Sequence, residues 1–549
     1  MLPPLRNPYA VPPDFAQLAL DVPAFSPFVR ASGQGRATID WKDDAAVRAL
    51  TSALLERDFG LGIDLPSDRL CPTIPSRLEY AIFVLRLSLL TSDAPSTSTT
   101  SPLPLVGLDI GTGASVVYPL LAQRLISPIS SSTSLSSPSS SANLAMLATD
   151  IEPYSLSFAA RNLAQNGLEE KVKLFKVDEA GAIFPGEVVQ SAERIDFTMC
   201  NPPFYASEDE IASSLASKEL EPFAVCTGGS NELLTAGGEV AFVSRMVEES
   251  LSLGLTKIRW FTSLLGKFSS IAPLVELLKA HKISNYAVTP LRPHGQTTRW
   301  VLAWSLQDWR FPPSLIYPSP FSSDPASTTS ANPSSQPTTR FLPPSLLPST
   351  HFLPLPTPVQ LDDPHPQLDS AEKVKSAVEA VLEDLVGGGG RGEEAGLEWE
   401  WGVAANVGEG AEEDAEGDDG VLTLRAYRNV WSRAARRAAA RGGAEKGAAA
   451  APEPAPPREQ PLLLAIQLRV RLPADSSAAD GQRQRQVQLL GTWVRGASTP
   501  AVRQEYVALW GYLMRKVREE LMRRKGNRRD GREEEEVEER SGKRRKTAQ

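Results

Sequence analysis

From residue 105 onward, short apolar runs take turns with helical segments, and this alternation constrains the fold more than anything else in the chain. "LVGLDI" runs into the glycine turn "GTGAS" and then the helical "SVVYPLLAQRLI"; "LAMLATD" leads through an acidic turn into "PYSLSFAARNLAQNG", closing on Gly167. "KVKLFKVD", "RIDFTMC", "KIRWFTSLL", "ISNYAVTP" and "TRWVLAWSL" supply further strands, with the helix "GGEVAFVSRMVEESLSLG" among them. Strands separated by helices join as parallel neighbours through crossovers, which cover both faces of the sheet. The expected class is α/β, a mostly parallel sheet; final strand pairs of this kind often run antiparallel at one edge, which sequence alone does not prove.

Flanking segments read differently. Residues from about 36 to 90 have a helical pattern, with Val47, Leu50, Leu54 and Leu55 apolar in "AAVRALTSALLERDFG" and Gly60 as a stop. The Ser/Thr-rich stretches at 91–104 and 127–143 are low-complexity and cannot build a core. The expected division is a 1–310 domain, made of a 1–90 N-terminal helical extension and a 105–310 core, then a Pro/Ser-rich disordered linker over 311–368. A smaller α+β domain is expected over 369–525, with a helix near 369–386, strands near 397–405, 421–428, 461–472 and 485–495, and a last helix from Pro500 to about Arg523. The 526–549 tail is blocks of charge with no apolar face, expected to be disordered.

"LDIGTGAS" places Asp109 at a strand end with Gly111 and Gly113 in the turn, where glycine admits positive φ and close approach of a ligand. A lone GxG is shared with ordinary tight turns. A nucleotide-binding βαβ unit also wants an acidic residue about 20 positions later to hold ribose hydroxyls. Asp150 ends the next strand, 37 residues after Gly113, and the separation falls to about 20 once the Ser-rich insertion is removed. The third glycine of the dinucleotide fingerprint is absent, and so is a Walker Lys-Ser/Thr, which argues against a phosphate cradle. Followed by "NPPF", this arrangement matches S-adenosylmethionine-dependent methyltransferases, with Asp150 at the ribose and Gly111, Gly113 and Ser115 along the methionine end.

In "FTMCNPPFYAS", Pro202 and Pro203 remove two backbone donors and stiffen the turn, and their carbonyls stay free to accept. An exocyclic amine on an aromatic base is a poor nucleophile because its lone pair is delocalised. Hydrogen bonds accepted by the Asn201 side-chain oxygen and the Pro202 carbonyl would push density back onto that nitrogen. Phe204 would stack on the base. The catalytic set is therefore Asn201, Pro202, Pro203 and Phe204, and tetrads of this kind serve adenine, cytosine and glutamine amino groups alike.

Charge bears on the partner. The net charge of −9 looks unfavourable for a polyanion, yet residues 393–419 carry eleven acidic and no basic residues, and without them the sum is +2. Local charge decides attraction to phosphates. Three scattered cysteines and four histidines give no metal-ligand spacing, so no metal is expected, and no apolar run is long enough to suggest a membrane span.

The stretches "NPYAVPPDFAQLA", "AVRALTSALLERDFGLGIDLP", "LCPTIPSRLEY", "LDIGTGAS", "MCNPPFYAS", "CTGGSNELLTAGGEVAFVSRMVEESL" and "RWFTSLLGKFSSIAPLVELLK" resemble, in order, the eukaryotic U6 small nuclear RNA adenine-N6 methyltransferase family and its shorter bacterial relative acting on large-subunit ribosomal RNA. The resemblance covers most of residues 5–310. It implies a Rossmann-like class I methyltransferase fold, S-adenosylmethionine as cofactor, and an adenosine in a structured RNA with a loop like UACAGAGAA. It also implies Arg77 at the cofactor carboxylate, with Asp109, Gly111, Ser115 and Asp150 beside it. Where the family has Arg after Gly in its last motif this chain has Gln296, leaving Arg299 as the RNA contact.

The C-terminal region matches the family's RNA-binding domain in position and coarse pattern. "RNVWSRAARRAAAR" groups Arg428, Arg433, Arg436, Arg437 and Arg441, with Trp431 for base stacking, and Val502, Tyr506, Leu509, Leu513 and Val517 form a stripe to be buried beneath a basic helix face. "KRRK" at 543–546 fits a nuclear-import signal, so the nucleus is the expected location, with the cytoplasm as a second. Two other readings compete: a ribosomal-RNA adenine methyltransferase, and an RNA-binding regulator whose methylation is incidental.

Overall fold

The computed structural model describes residues 5, 7–31, 37–91, 104–127, 143–211, 228–253, 257–291, 298–312, 315, 342–346, 359–361, 371–385, 397–403, 420–426, 431–432, 464–471, 487–495, 504–517, 519–520 and 523. The chain forms two compact units, Met1–Phe352 with Ala405–Ala411 and Leu353–Ala404 with Glu412–Gln549.

The first unit opens with helix α1 (Phe15–Asp21), whose N-terminal amides are capped by the Asp14 carboxylate, and a small antiparallel hairpin of β1 (Val29–Ala31) and β2 (Ala37–Ile39). The stretch read as helical from 36 to 90 is corrected at its start, where Ala37–Ile39 is the strand β2, and otherwise holds two helices, α2 (Asp44–Phe59) and α3 (Ile74–Leu90), with non-helical chain between them. Asp43 caps the start of α2 and Gly60 ends it at φ 57°; the chain between the helices is non-helical and turns after Pro66, where the Arg69 amide donates to the Pro66 carbonyl at 3.2 Å. Almost every residue of α3 is buried, and the Tyr80 hydroxyl meets Thr262 Oγ1 at 2.6 Å while accepting from the Cys200 amide at 3.2 Å. The N-terminal segment is therefore built into the sheet's own wall, because α3 is mostly apolar and buried along nearly its whole length.

The main sheet holds β3 (Leu105–Ile110), β4 (Leu144–Asp150), β5 (Val172–Lys176), β6 (Ile195–Cys200), β7 (Ile258–Leu265), β8 (Tyr286–Leu291) and β9 (Arg299–Trp304), in the order β5-β4-β3-β6-β7-β9-β8. β5 through β7 are parallel, and β9 runs antiparallel to both β7 and β8. This is a Rossmann-like α/β sheet. Its strand order reverses between β3 and β6, and the carboxyl ends of strands at such a reversal open onto a crevice where ligands bind. Helices α4 (Val117–Ile126), α5 (Pro153–Gln165) and α6 (Gly186–Gln190) follow β3, β4 and β5, and helix Gly238–Ser252 precedes β7. Trp304 is fully buried, stacked on Phe261 with centroids 5.4 Å apart, and donates its indole N–H to Ser250 Oγ at 3.1 Å.

In the second unit, β10 (Val359–Leu361), β11 (Leu397–Val403), β12 (Gly420–Ala426), β13 (Leu464–Arg471) and β14 (Val487–Arg495) form an antiparallel sheet ordered β10-β14-β13-β12-β11. Helix Ala371–Leu385 and the helix at 504–517 share its core, through Val374, Val378 and Leu382 on one and Tyr506, Leu509, Leu513 and Val517 on the other. Trp431 is buried in the same core, 2% exposed, which corrects its reading as a base-stacking residue: an indole this large gains more from the apolar interior than from solvent. Within the stretch expected as a linker, Leu342 and Leu346 are buried with the first unit's core, and β10 pairs with β14.

Candidate active site

Strand register assembles the site. Asp109 of β3 lies opposite Ala148 of β4 and Met199 of β6, and Ile110 lies opposite Thr149 and Cys200. One residue further along, Gly111 is therefore flanked by Asp150 on one side and Asn201 on the other. The glycine turn is pinned to β4 through Gly111 and Thr112 amides donating to the Thr149 carbonyl, each at 2.9 Å. Gly111 and Gly113 take φ of +70° and +63°, conformations that an L side chain adopts at a cost. The turn then tightens through Val116, itself at φ 46°, into α4.

Asp150 braces this turn while facing the crevice. Its Oδ2 accepts from the Gly113 amide at 2.8 Å and its Oδ1 from the Glu152 amide at 2.9 Å, leaving a lone pair on each oxygen for a ligand. Burial raises its pKa against the pull of those amides. Asp109 is fully buried, and neither carboxylate oxygen has a hydrogen-bond partner. Burial pushes its pKa up to about 7; the nearby Thr112 hydroxyl and Arg77 pull it down, and Asp150 pushes it further up. A sealed carboxylate whose donors stop short of a full hydrogen bond is costly, and a cationic ligand group would relieve that cost.

Arg77 comes from α3, only 9% exposed, with its guanidinium 5.9 Å from the Tyr118 ring centroid and Nη1 at 3.5 Å from Asn201 Oδ1. Because Arg only donates, that contact orients the Asn201 amide with its oxygen toward Arg77 and leaves the second lone pair open. Arg77, Asp109 and Asn201 thus form one polar group. Ser115, 8% exposed, sits in the turn before α4. Together these residues could hold a ligand with a carboxylate at Arg77, an ammonium at Asp109 and vicinal hydroxyls at Asp150, which is the donor set S-adenosylmethionine needs.

Beyond Asn201 the prolines lead to Phe204, which is half-buried. Arg299 at the start of β9 lies with its guanidinium 5.9 Å from the Phe204 ring centroid, and burial, then the nearby Arg77 charge, lowers its pKa. The turn is tied down through Tyr205, whose amide donates to Leu233 O at 3.0 Å and whose carbonyl accepts from Thr235 N at 2.9 Å. The same segment supplies Glu232. Its Oε2 accepts from the Leu70 and Gly229 amides, each at 2.8 Å, and its Oε1 lies where it would be 3.6 Å from a side-chain carbon at Gly113.

The structure brings Arg77, Asp109, Gly111, Gly113, Ser115, Asp150, Asn201, Pro202, Pro203, Phe204 and Arg299 to one end of the sheet. Arg433, Arg436 and Arg437, like Gln296 and "KRRK", lie outside the described residues. Sequence reasoning missed Glu232, Glu239 and Lys267; all three fall within stretches that carry the family resemblance, but their partners are distant in sequence. Among the described residues no group of three or more His, Cys, Asp or Glu could hold a metal ion, and no helix is long and apolar enough to cross a membrane.

A family profile described as RNA methyltransferase matches residues 3–308. The chain is 38% identical over 306 residues to the RNA N(6)-adenosine-methyltransferase METTL16 of Mus musculus, covering 55% of this chain and 51% of that protein. It is 34% identical over 298 residues to the U6 small nuclear RNA (adenine-(43)-N(6))-methyltransferase of Schizosaccharomyces pombe, covering 54% of this chain and 69% of that one. A crystal structure of the hMettl16 catalytic domain in complex with MAT2A 3′UTR hairpin 1 is 36% identical, covering 56% of this chain and 96% of that chain with a TM-score of 0.47. The chain spans about half the length of the METTL16 relatives from mouse, frog and human that it matches.

Proposed function

This chain belongs to the RNA methyltransferase family, and from that premise we propose that it is an S-adenosylmethionine-dependent RNA adenine-N6 methyltransferase acting on U6-type small nuclear RNA hairpins in the nucleus. The observation that carries the reading is the position of Asn201 beside Arg77, one strand over from the glycine turn that Asp150 braces. When bound, S-adenosylmethionine supplies an electrophilic methyl group on a sulfonium. Arg77 would take its carboxylate, Asp109 its ammonium, and Asp150 its ribose, with Gly111, Gly113 and Ser115 along the methionine end.

The chain's part is to aim and activate the adenine. The open lone pair of Asn201 Oδ1 and the Pro202 carbonyl accept the two amine hydrogens, Pro202 and Pro203 keep competing amide donors away, and Phe204 stacks on the ring. No strong base is required, because the proton leaves to solvent after the nitrogen becomes cationic. Arg299, near Phe204, would meet an RNA phosphate, and Arg433, Arg436 and Arg437 of a 369–525 RNA-binding domain would add further contacts. The division into a 1–310 methyltransferase domain, that second domain and a 526–549 tail is part of the proposal, supported by the separate cores of the two units; the 311–368 stretch is not a bare linker, since Leu342 and Leu346 pack in the first core and β10 pairs in the second sheet.

The choice of U6 follows the name of the S. pombe relative, more than two thirds of which this chain covers. Transfer of labelled methyl to U6-like, large-subunit ribosomal and scrambled hairpins tests it. Preferential labelling of the U6-like hairpin is expected. Equal labelling of all three overturns the substrate, and no labelling of any overturns the activity.

A further inference from the structure

The Pro-Pro turn has no amide donors at 202 and 203, so beyond the Tyr205 bonds its hold on Phe204 depends on groups that reach the turn's carbonyls or ring. A loop after β7 does both. Lys267 Nζ donates to the Phe204 carbonyl at 2.9 Å, pairs with Glu210, and lies 4.9 Å from the Tyr205 ring centroid. Gly266 faces the ring itself: a side-chain carbon there would sit 2.9 Å from Phe204 Cδ1. The loop is fixed in turn by Glu239, 1% exposed in the first turn of helix Gly238–Ser252. That one carboxylate accepts from Gly266 N at 2.8 Å, Lys267 N at 3.0 Å and Ser270 Oγ at 2.6 Å.

A buried carboxylate with three donors is rigid, and it holds the backbone from which the Lys267 side chain reaches the catalytic turn. We propose that Glu239, Gly266 and Lys267 are positioning residues that set the plane of the Phe204 ring: the carboxylate fixes the loop, the ammonium clamps the Phe204 carbonyl, and the missing side chain at 266 leaves the ring its slot. The assignment rests on Phe204 being the stacking residue for the target adenine. None of the three touches the reacting atoms.

The test uses the full chain with 4-fluorophenylalanine incorporated at position 204, comparing wild type with Lys267→Met, Lys267→Arg, Gly266→Ala and Glu239→Gln. The fluorine NMR line reports the ring directly, and steady-state methylation of an adenosine hairpin reports the consequence. Lys267→Met is expected to shift or broaden the line and lower kcat about tenfold to a hundredfold, with KM for RNA within twofold of wild type. Lys267→Arg should recover most of both, and Gly266→Ala should displace the line without touching the ammonium. Because Glu239→Gln risks misfolding, the half-exposed Lys267 carries the decision. An unchanged fluorine line in Lys267→Met overturns the proposal whatever the rate does. If wild type methylates no RNA while the line still moves in Lys267→Met, the clamp stands and the functional reading falls.

Discussion

A carboxylate sealed from water without a full hydrogen bond destabilises a fold, and Asp109 is in that position with its pKa pushed up to about 7. In cofactor-free buffer the folded protein then holds a proton that the unfolded chain sheds above pH ~4, so this group's contribution is fully present below that pH and is lost as pH rises through about 7. Asp109→Asn should therefore raise Tm by a few degrees at pH 8 and leave it unchanged at pH 4, as scanning calorimetry would show. The same variant should bind S-adenosylmethionine at least about tenfold more weakly, since a neutral amide cannot pair with an ammonium. A variant with wild-type affinity would remove Asp109 from the cofactor site. Gly111→Ala makes a complementary case: its φ of +70° penalises any side chain by roughly 1 kcal/mol, so both stability and cofactor affinity should fall together.

At the scale of elements, the β3 turn and the β6 turn work only because parallel register lines them up. Trp304→Ala, which empties the sheet's aromatic stack, should cost about 3–5 kcal/mol in chemical denaturation and weaken methylation through the fold alone. The strands, the glycine turn and the Asn-Pro-Pro-Phe turn were legible in the sequence because each is a local signal: an apolar run, a GxG, a pair of prolines. Register was not written locally, because it is set by how strands far apart in the chain pack against one another. Other features could not be read at all. α3 is mostly apolar and buried, and periodicity does not tell a wall of the core from an appended helix. Trp431 stands among arginines and looks like a stacking platform, while its burial is decided by strands and helices far along the chain. Lys267 and Glu239 owe their roles to partners 63 and 27 residues away, a spacing that carries no motif.

For the whole molecule, charge is divided unevenly. The acidic run at 393–419 sets the net sign, while the helix at 504–517 carries Arg515 and Lys516 on its exposed side, both near Glu519. Exposed pairs of this kind exchange readily for phosphate and respond to salt. Deleting residues 369–549 should weaken hairpin binding about tenfold at low salt in fluorescence anisotropy, and should leave S-adenosylmethionine affinity unchanged by calorimetry. Unaltered RNA affinity would assign RNA recognition to the first unit alone. The central claim concerns the Asn-Pro-Pro-Phe turn, and nucleoside mass spectrometry tests it most directly, after incubating the full chain with S-adenosylmethionine and a hairpin bearing a UACAGAGAA loop. The expected result is N6-methyladenosine from wild type and at least about a hundredfold less from Asn201→Ala. A methyl group on any other nucleoside, or equal N6-methyladenosine from the variant, would contradict it.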